Sequence, residues 1–306
     1  MSIVVRMIVA ITLAMPLVSL VVAAAPSECP NARKTPFAVV AEAPTSPNPS
    51  TDWLARGVAF DLEKRLGRLP SLDAADRLGV ANAVGSAKAD EATRAASVIE
   101  RTGAIFVLYV KASAEGERVS LAVDLWTRER RAASLASAGM RVDLFALVDG
   151  LVDEIVPELA KAGVDAGKPD GVPGLKWHPS RSVAAYEDLI SGMLLLQKGD
   201  ALQARARLLK ALAAEQDNWF ACYFLGAAAL HQGDIAKAAD YCRTAISVNP
   251  DVYAGVYANL SYCRAAMGDD KQAEWAKTEF ERRTGKALPA RTVPGGMPMG
   301  SFGVSR

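Results

Sequence analysis

The sequence predicts a chain in two parts: an α/β domain, a mixed sheet covered by helices, followed by an all-α array of helical hairpins. Three observations carry this. The pairs Gly199-Asp200, Gly233-Asp234 and Gly268-Asp269 recur at spacings of 34 and 35 residues, a period typical of stacked helical hairpins. Between residues 37 and 165, short runs with strand periodicity alternate with stretches of helix periodicity. Finally, 51% of the 306 residues are hydrophobic but only 7% are aromatic, and alanine is abundant, which favours closely packed helices over an aromatic-rich β structure.

The N-terminus reads as a targeting segment. Arg6 precedes an apolar run from Met7 to Ala25, interrupted at Pro16, with Val22-Ala23-Ala24 or Ala23-Ala24-Ala25 as small residues for a signal peptidase. Cleavage directly before Pro26 is disfavoured, so residues 1–24 are expected to be a signal peptide. An uncleaved membrane anchor is the alternative, since the run is nearly long enough to span a bilayer. No Leu-Ala-Gly sequence precedes Cys29, which argues against a lipid anchor. Export leads to a periplasmic or secreted chain, where disulfides are permitted. Cys242 and Cys263 fall on helices of neighbouring repeats and could meet; the alternative is that Cys222, Cys242 and Cys263 are small buried residues at tight helix contacts.

The first domain, residues 37–165, opens with the apolar run Phe37 to Ala41, a buried strand. After a Pro/Ser/Thr loop, Asp52 is placed to cap a helix whose apolar face is Leu54, Val58, Leu62 and Leu66. Leu78 to Val84 reads as a weak strand or an irregular segment, and residues 88–103 as an Ala-rich helix ending at Gly103. Ile105 to Val110 and Arg118 to Trp126 are strands. Ala114-Glu115-Gly116-Glu117 forms the hairpin turn between them, and residues 131–138 extend the meander. A helix from Leu144 to Ala162 closes the domain, bent or interrupted at Pro157. This order resembles the amino-terminal-type domain of TolB over Phe37 to Ala43, the helix around Gly57, Thr102-Gly103-Ala104 and Asp143-Leu144-Phe145. The Pro/Ser-rich loop after Ala43 departs from that family's pattern. The resemblance implies an envelope location and a domain that precedes helical repeats. Residues 166–181, rich in Gly, Pro, Lys and Asp, read as a linker, with Trp177 expected to pack on the first repeat helix.

Within residues 182–284 each Gly-Asp pair sits between two helices. The glycine suits a left-handed C-terminus of the first helix and the aspartate an N-cap of the second. Small residues recur at fixed places: Gly192, Gly226 and Ser261 before the pairs, and Ala204, Ala238 and Ala273 after them. Small side chains there let helices approach closely. The middle copy, with Leu225-Gly226, Gly233-Asp234, Ala238, Ala245 and Asn249-Pro250, resembles the tetratricopeptide repeat most fully. The first copy lacks the closing proline, ending in Glu215-Gln216-Asp217, and the third carries Lys277 where an apolar residue is expected. The resemblance implies three repeats whose first helices line a concave groove. In that register Tyr186, Leu189, Met193 and Leu196 face inward from the first copy, Phe220, Tyr223, Ala227 and Leu230 from the second, and Ala258, Tyr262 and Ala265 from the third. The set carries no Lys or Arg, which argues against a clamp for a peptide carboxylate and for an apolar segment or amphipathic helix. Equally, the groove could be filled by the chain's own linker or first domain. The last helix offers Trp275 and Phe280 for inward packing behind a polar outer face, and residues 285–306 are expected to be a disordered tail.

Net charge is +1, from 35 basic and 34 acidic residues, and the chain has two histidines, His178 and His231. Nothing here points to nucleic acid. No nucleotide-binding glycine loop, metal-ligand spacing or nucleophile motif stands in the chain, so no cofactor or metal is expected and the chain is not expected to be an enzyme. The expected function is that of an exported adaptor or scaffold binding an envelope protein or peptide. The alternative is an enzyme, or the regulatory subunit of one, whose α/β domain binds a small ligand.

Overall fold

The computed structural model describes residues 34–42, 51–75, 77–85, 90–166, 172, 175–250 and 252–289. The expected signal peptide, Cys29, the Pro/Ser-rich loop, most of the glycine- and proline-rich part of the linker, and the tail beyond Pro289 lie outside these residues. The described residues belong to one compact unit, Arg33–Arg306.

The first half runs β1 (Thr35–Ala41), α1 (Asp52–Leu66), β2 (Leu72–Ala74), α2 (Arg77–Gly85), α3 (Glu91–Thr102), β3 (Phe106–Glu115), β4 (Arg118–Thr127), β5 (Arg131–Met140) and α4 (Leu144–Lys161). The sheet order is β2-β1-β3-β4-β5. β1 is parallel to both its neighbours, and β3, β4 and β5 form an antiparallel meander that turns at Gly116, φ +59°. Successive side chains alternate between faces. Phe37, Phe106, Leu108, Val110, Val123 and Leu125 share a core with α1 and α4. Ala38, Val40, Val107 and Tyr109 face a smaller core formed with Val80, Ala83, Ala95, Val98 and Ile99.

Three expectations need correction here, and one element was not foreseen. Residues 77–85 are helical, not a strand: the buried Val80 and Ala83 are three apart, the spacing of one helix face turned onto the sheet. The three-residue β2 before it was not foreseen. Asp52 is not a cap; Thr51 holds the N-cap position of α1, without a side-chain cap bond. Pro157 lies inside α4 without interrupting it, and Val152, Ile155, Val156 and Leu159 are buried on both sides of it.

The second half is six helices in three hairpins: α5 (Val183–Gln197) with α6 (Ala201–Ala214), α7 (Trp219–His231) with α8 (Ile235–Val248), and α9 (Ala254–Ala266) with α10 (Asp270–Thr284). Each turn is built as the sequence indicated. Gly199, Gly233 and Gly268 have φ of +81°, +77° and +76°, a region open to glycine without steric cost. The carboxylates of Asp200, Asp234 and Asp269 accept from the N–H groups of Gln203, Lys237 and Gln272 at 3.0, 3.2 and 3.2 Å. Helices within a hairpin meet at the small residues. Ser261 replaces glycine in the third copy and donates its hydroxyl to the Ala273 carbonyl at 2.8 Å.

The first copy closes without proline by a different device. Glu215 Oε1 accepts from Ser180 Oγ (2.7 Å) and from the N–H groups of Arg181 and Ser182 (2.8 Å each). Its Oε2 accepts from Asn218 Nδ2 at 3.1 Å. In the third copy Lys277 points to Glu274 at the surface and Ala276 is the buried residue. Trp275, expected to pack inward, is 47% exposed and stands edge-on to Tyr257, whereas Phe280 does pack on the core.

Candidate functional site

α1 packs on the concave face of the first repeat and reaches the second at Phe220. Tyr186, Leu189, Met193, Leu196, Phe220, Tyr223 and Leu230 are all buried, so seven of the eight residues expected to line an open groove face protein instead. α1 packs directly on α5. The Tyr186 hydroxyl donates to the Gly57 carbonyl at 2.6 Å, and its ring stands edge-on to Trp53, centroids 6.0 Å apart. Phe60 meets Phe220 edge-on at 5.7 Å, and the Lys64 ammonium lies 5.0 Å from the centroid of Tyr253. A Cβ on Gly57 would come 3.3 Å from the Tyr186 ring; a small residue there lets this helix seat against α5. The eighth residue, Tyr262, is half-buried and donates to the Pro289 carbonyl at 2.5 Å. Around it Ala258 is half-buried, and Ala265 and Met267 are exposed.

This double contact explains the burial of α1. Its apolar stripe of Leu54, Val58, Leu62 and Leu66 faces the sheet core as expected, but Trp53, Ala55, Gly57, Ala59, Phe60, Asp61, Glu63, Lys64 and Arg65 are buried as well. A helix buried along most of its surface, with Arg56 its one exposed residue, must pair its buried charges. Lys64 pairs with Glu63 at 2.9 Å, and Arg65 pairs with Asp149 at 2.6 Å while its Nε donates to the Leu175 carbonyl.

Asp61 pairs with His178, a contact invisible in sequence because the two are 117 residues apart. His178 Nδ1 is 2.8 Å from Asp61 Oδ2, and Nε2 is 3.3 Å from Asp149 Oδ1. The imidazole stacks on Phe145 with centroids 4.4 Å apart. Burial pushes the Asp61 carboxyl above the usual carboxylate range, against the opposing pull of His178 and Arg65. The neighbouring Trp177 stacks on Trp219 and Phe220 of α7, at 6.4 and 5.2 Å, under the guanidinium of Arg68. It thus packs on the second repeat, not the first, as the aromatic pair at the start of α7 offers the larger flat surface.

A cavity of about 400 Å³ opens beside the carboxyl end of β1, lined by Val39 to Glu42, by Arg56, Phe60 and Glu63 of α1, by Val80 and Val84 of α2, by Arg94, and by Met193, Leu194 and Gln197 of α5. Arg94 pairs with Glu42 at 2.6 Å, and Lys111 with Glu91 and Asp124 at 2.5 and 2.7 Å. These ion pairs tie α3 to the sheet. Among the described residues no group of His, Cys, Asp and Glu is arranged to hold a metal ion. Cys222, Cys242 and Cys263 are buried free thiols. Burial pushes the Cys222 thiol up to about 11 and raises that of Cys242 well above its ordinary value. No helix among the described residues is long and apolar enough to cross a membrane.

No protein-family model matches the chain, and no curated protein sequence matches it. Among solved structures it is similar to MamA. One MamA crystal structure shares 21% identity, with 45% of this chain and 67% of that one covered, at a TM-score of 0.31. Two structures of MamA AMB-1 share 16% and 15% identity, cover 45% and 68% of this chain and 81% and 97% of their own, and each have a TM-score of 0.30. Likenesses of this size transfer neither fold nor function, and the repeat architecture rests on the turns, caps and helix contacts above.

Proposed function

We propose that this protein is an exported, non-catalytic interaction scaffold, in which a TolB-like α/β domain and three tetratricopeptide-like repeats form one platform and an envelope protein docks at the third repeat. One observation carries the choice of surface. The concave positions of the first two repeats are buried, whereas Ala258, Tyr262 and Ala265 of the third are half-buried or exposed, beside the exposed Met267. The patch is small and free of cations, which suits an extended apolar segment or the apolar stripe of a helix. Tyr223 and Leu230 are buried and offer a partner no open surface.

The test is site-specific photocrosslinking in the intact envelope, with the reactive side chain placed at Tyr262, Ala265 or Tyr223. A discrete adduct from positions 262 and 265 but not 223 is expected. Adducts from 223 alone would place the partner at the second repeat instead, and silence at 262 and 265 would remove the proposed surface. The intact mass of the exported chain tests the signal peptide, with a mature start at residue 25 expected.

The cavity beside β1 favours a second reading, a small ligand held by the α/β domain. Its size falls within the range of small-molecule pockets, and its wall carries Arg56 and Arg94 together with Glu42 and Glu63, which suits a polar ligand of either charge sign.

A further inference from the structure

We propose that the free edge of β5 is a self-association surface, on which a second copy of this chain lays its own β5 antiparallel and joins two five-stranded sheets into one. The interface goes beyond the scaffold reading and stands without it. Its basis is how differently the two edges of the sheet are finished. An unpaired strand edge invites another chain, and proteins blunt such edges by shortness, charge or proline. β2, at one edge, has three residues. β5, at the other, has ten, with no proline, no lysine and no charge between Ala132 and Met140. Among the described residues no strand pairs with its outer side.

The ladder fixes which backbone groups are on offer. The Arg141 N–H donates to the Glu117 carbonyl at 2.7 Å, one step beyond the opposed residues Arg118 and Met140. Bonded and non-bonded pairs alternate along an antiparallel ladder. Gly139, Ser137 and Leu135 therefore turn their N–H and C=O groups to β4, whereas Met140, Ala138, Ala136 and Ser134 turn theirs to the open edge. The side chains of this second set are exposed, and all but Met140 are small.

A second copy uses this whole row in one symmetric register. With the two-fold axis at Ser137, Ser134 opposes Met140 of the other copy and Ala136 opposes Ala138, so every outward N–H and C=O of the row finds a partner. An axis at Ala136 would instead set Met140 against Ala132, the residue left over at the register shift beside Leu125 and Trp126. The charges agree with the pairing. Arg131 stands at one end of β5 and the exposed Asp143 just past the other, so antiparallel strands bring unlike charges together at both ends. Met140 and Val142, 46% and 77% exposed, stand at the same end and gain cover from the other copy's strand.

Sedimentation equilibrium of the exported chain over a dilution series is expected to give twice the mass of one copy at the concentrated end. Ala136→Pro removes an N–H that β4 does not use, and proline is tolerated at such edge positions. It is expected to keep the wild-type circular dichroism and to sediment as one copy throughout. Cysteines read the register. In a Cys29→Ser background, Ser137→Cys faces itself across the axis in a non-bonded pair, where side chains come closest, and mild oxidation is expected to link most of the chain into a covalent dimer. Leu135→Cys, which opposes Gly139, is expected to link little. A wild-type chain at the mass of one copy throughout, an Ala136→Pro chain that stays dimeric, or Leu135→Cys linking as well as Ser137→Cys overturns the proposal. Should Ala136→Pro fail to fold, the two cysteine variants decide alone.

Discussion

Gly192 and Gly226 occupy the same place in two repeats, yet the structure assigns them opposite responses to alanine. At Gly192 a new Cβ would lie 2.6 and 2.8 Å from Cγ and Cδ2 of Leu208 and 3.2 Å from the Ala204 carbonyl oxygen. Leu208 is fully buried, so it can retreat only by disturbing its neighbours. Overpacking of this kind costs about 1–3 kcal/mol, and the helical preference for alanine over glycine returns about 1 kcal/mol. The net expectation is a loss of about 1 kcal/mol. At Gly226 the nearest atoms are Cys242 Sγ at 3.3 Å and the Ala238 carbonyl oxygen at 3.5 Å, a tight contact that asks the thiol to give by only a few tenths of an ångström. There the propensity gain prevails, for a stabilisation of about 0.5 kcal/mol. Urea unfolding of the two variants, with unchanged m, should separate their midpoints on opposite sides of the wild type. The double variant sharpens the test. Leu208→Ala alone should cost about 2–5 kcal/mol, but less in the Gly192→Ala background, because the clash it relieves is then present. A Gly192→Ala chain as stable as Gly226→Ala, or additive effects of the 192 and 208 changes, would refute the reasoning.

Glu215→Ala strips the acceptor from Ser180 Oγ, two backbone N–H groups and the Asn218 amide. It should cost about 2–3 kcal/mol and speed amide exchange over Arg181 to Tyr186, with Glu215→Gln intermediate; unchanged exchange would show that the first repeat closes by other means. The buried thiols should resist a disulfide reagent at pH 8 until the chain is unfolded, since Cys222 is pushed up to about 11 and the thiolate is the reactive form. Peptide mapping that finds Cys222 or Cys242 modified in the folded chain would contradict this.

The repeat half was legible because its signals are local. A glycine at positive φ, an aspartate whose carboxylate reaches the N–H three residues on, and a small residue at the crossing are each specified within a few positions of the chain. The strands of the meander were legible for the same reason, as their alternation is written residue by residue. Elements whose form depends on a distant partner were not. The segment around Val80 carries valines and a glycine that weigh against a helix in isolation, and only the sheet face above it makes Val80 and Ala83 a buried pair. Around α1 the sequence marks one apolar stripe, yet Asp61 and Arg65 are also buried, since a second surface, 120 residues later in the chain, covers the other side. Most of the residues predicted to line the groove are buried. What fills the groove could not be read, because α1 looks like any amphipathic helix until the repeats close on it. His178 had no visible partner for the same reason.

The seating of α1 also sets a boundary condition on the repeats. A free solenoid is close to one-dimensional: each hairpin leans on its neighbours, and either end can fray. Here one end is clamped by a helix that belongs to another layer of the protein, and the opposite end carries a half-exposed tryptophan. Loosening therefore has a direction, starting at α10 and stopping where Phe220 meets Phe60. The array has, in effect, a stiff end and a compliant end, and its compliant end is the one with surface left to offer.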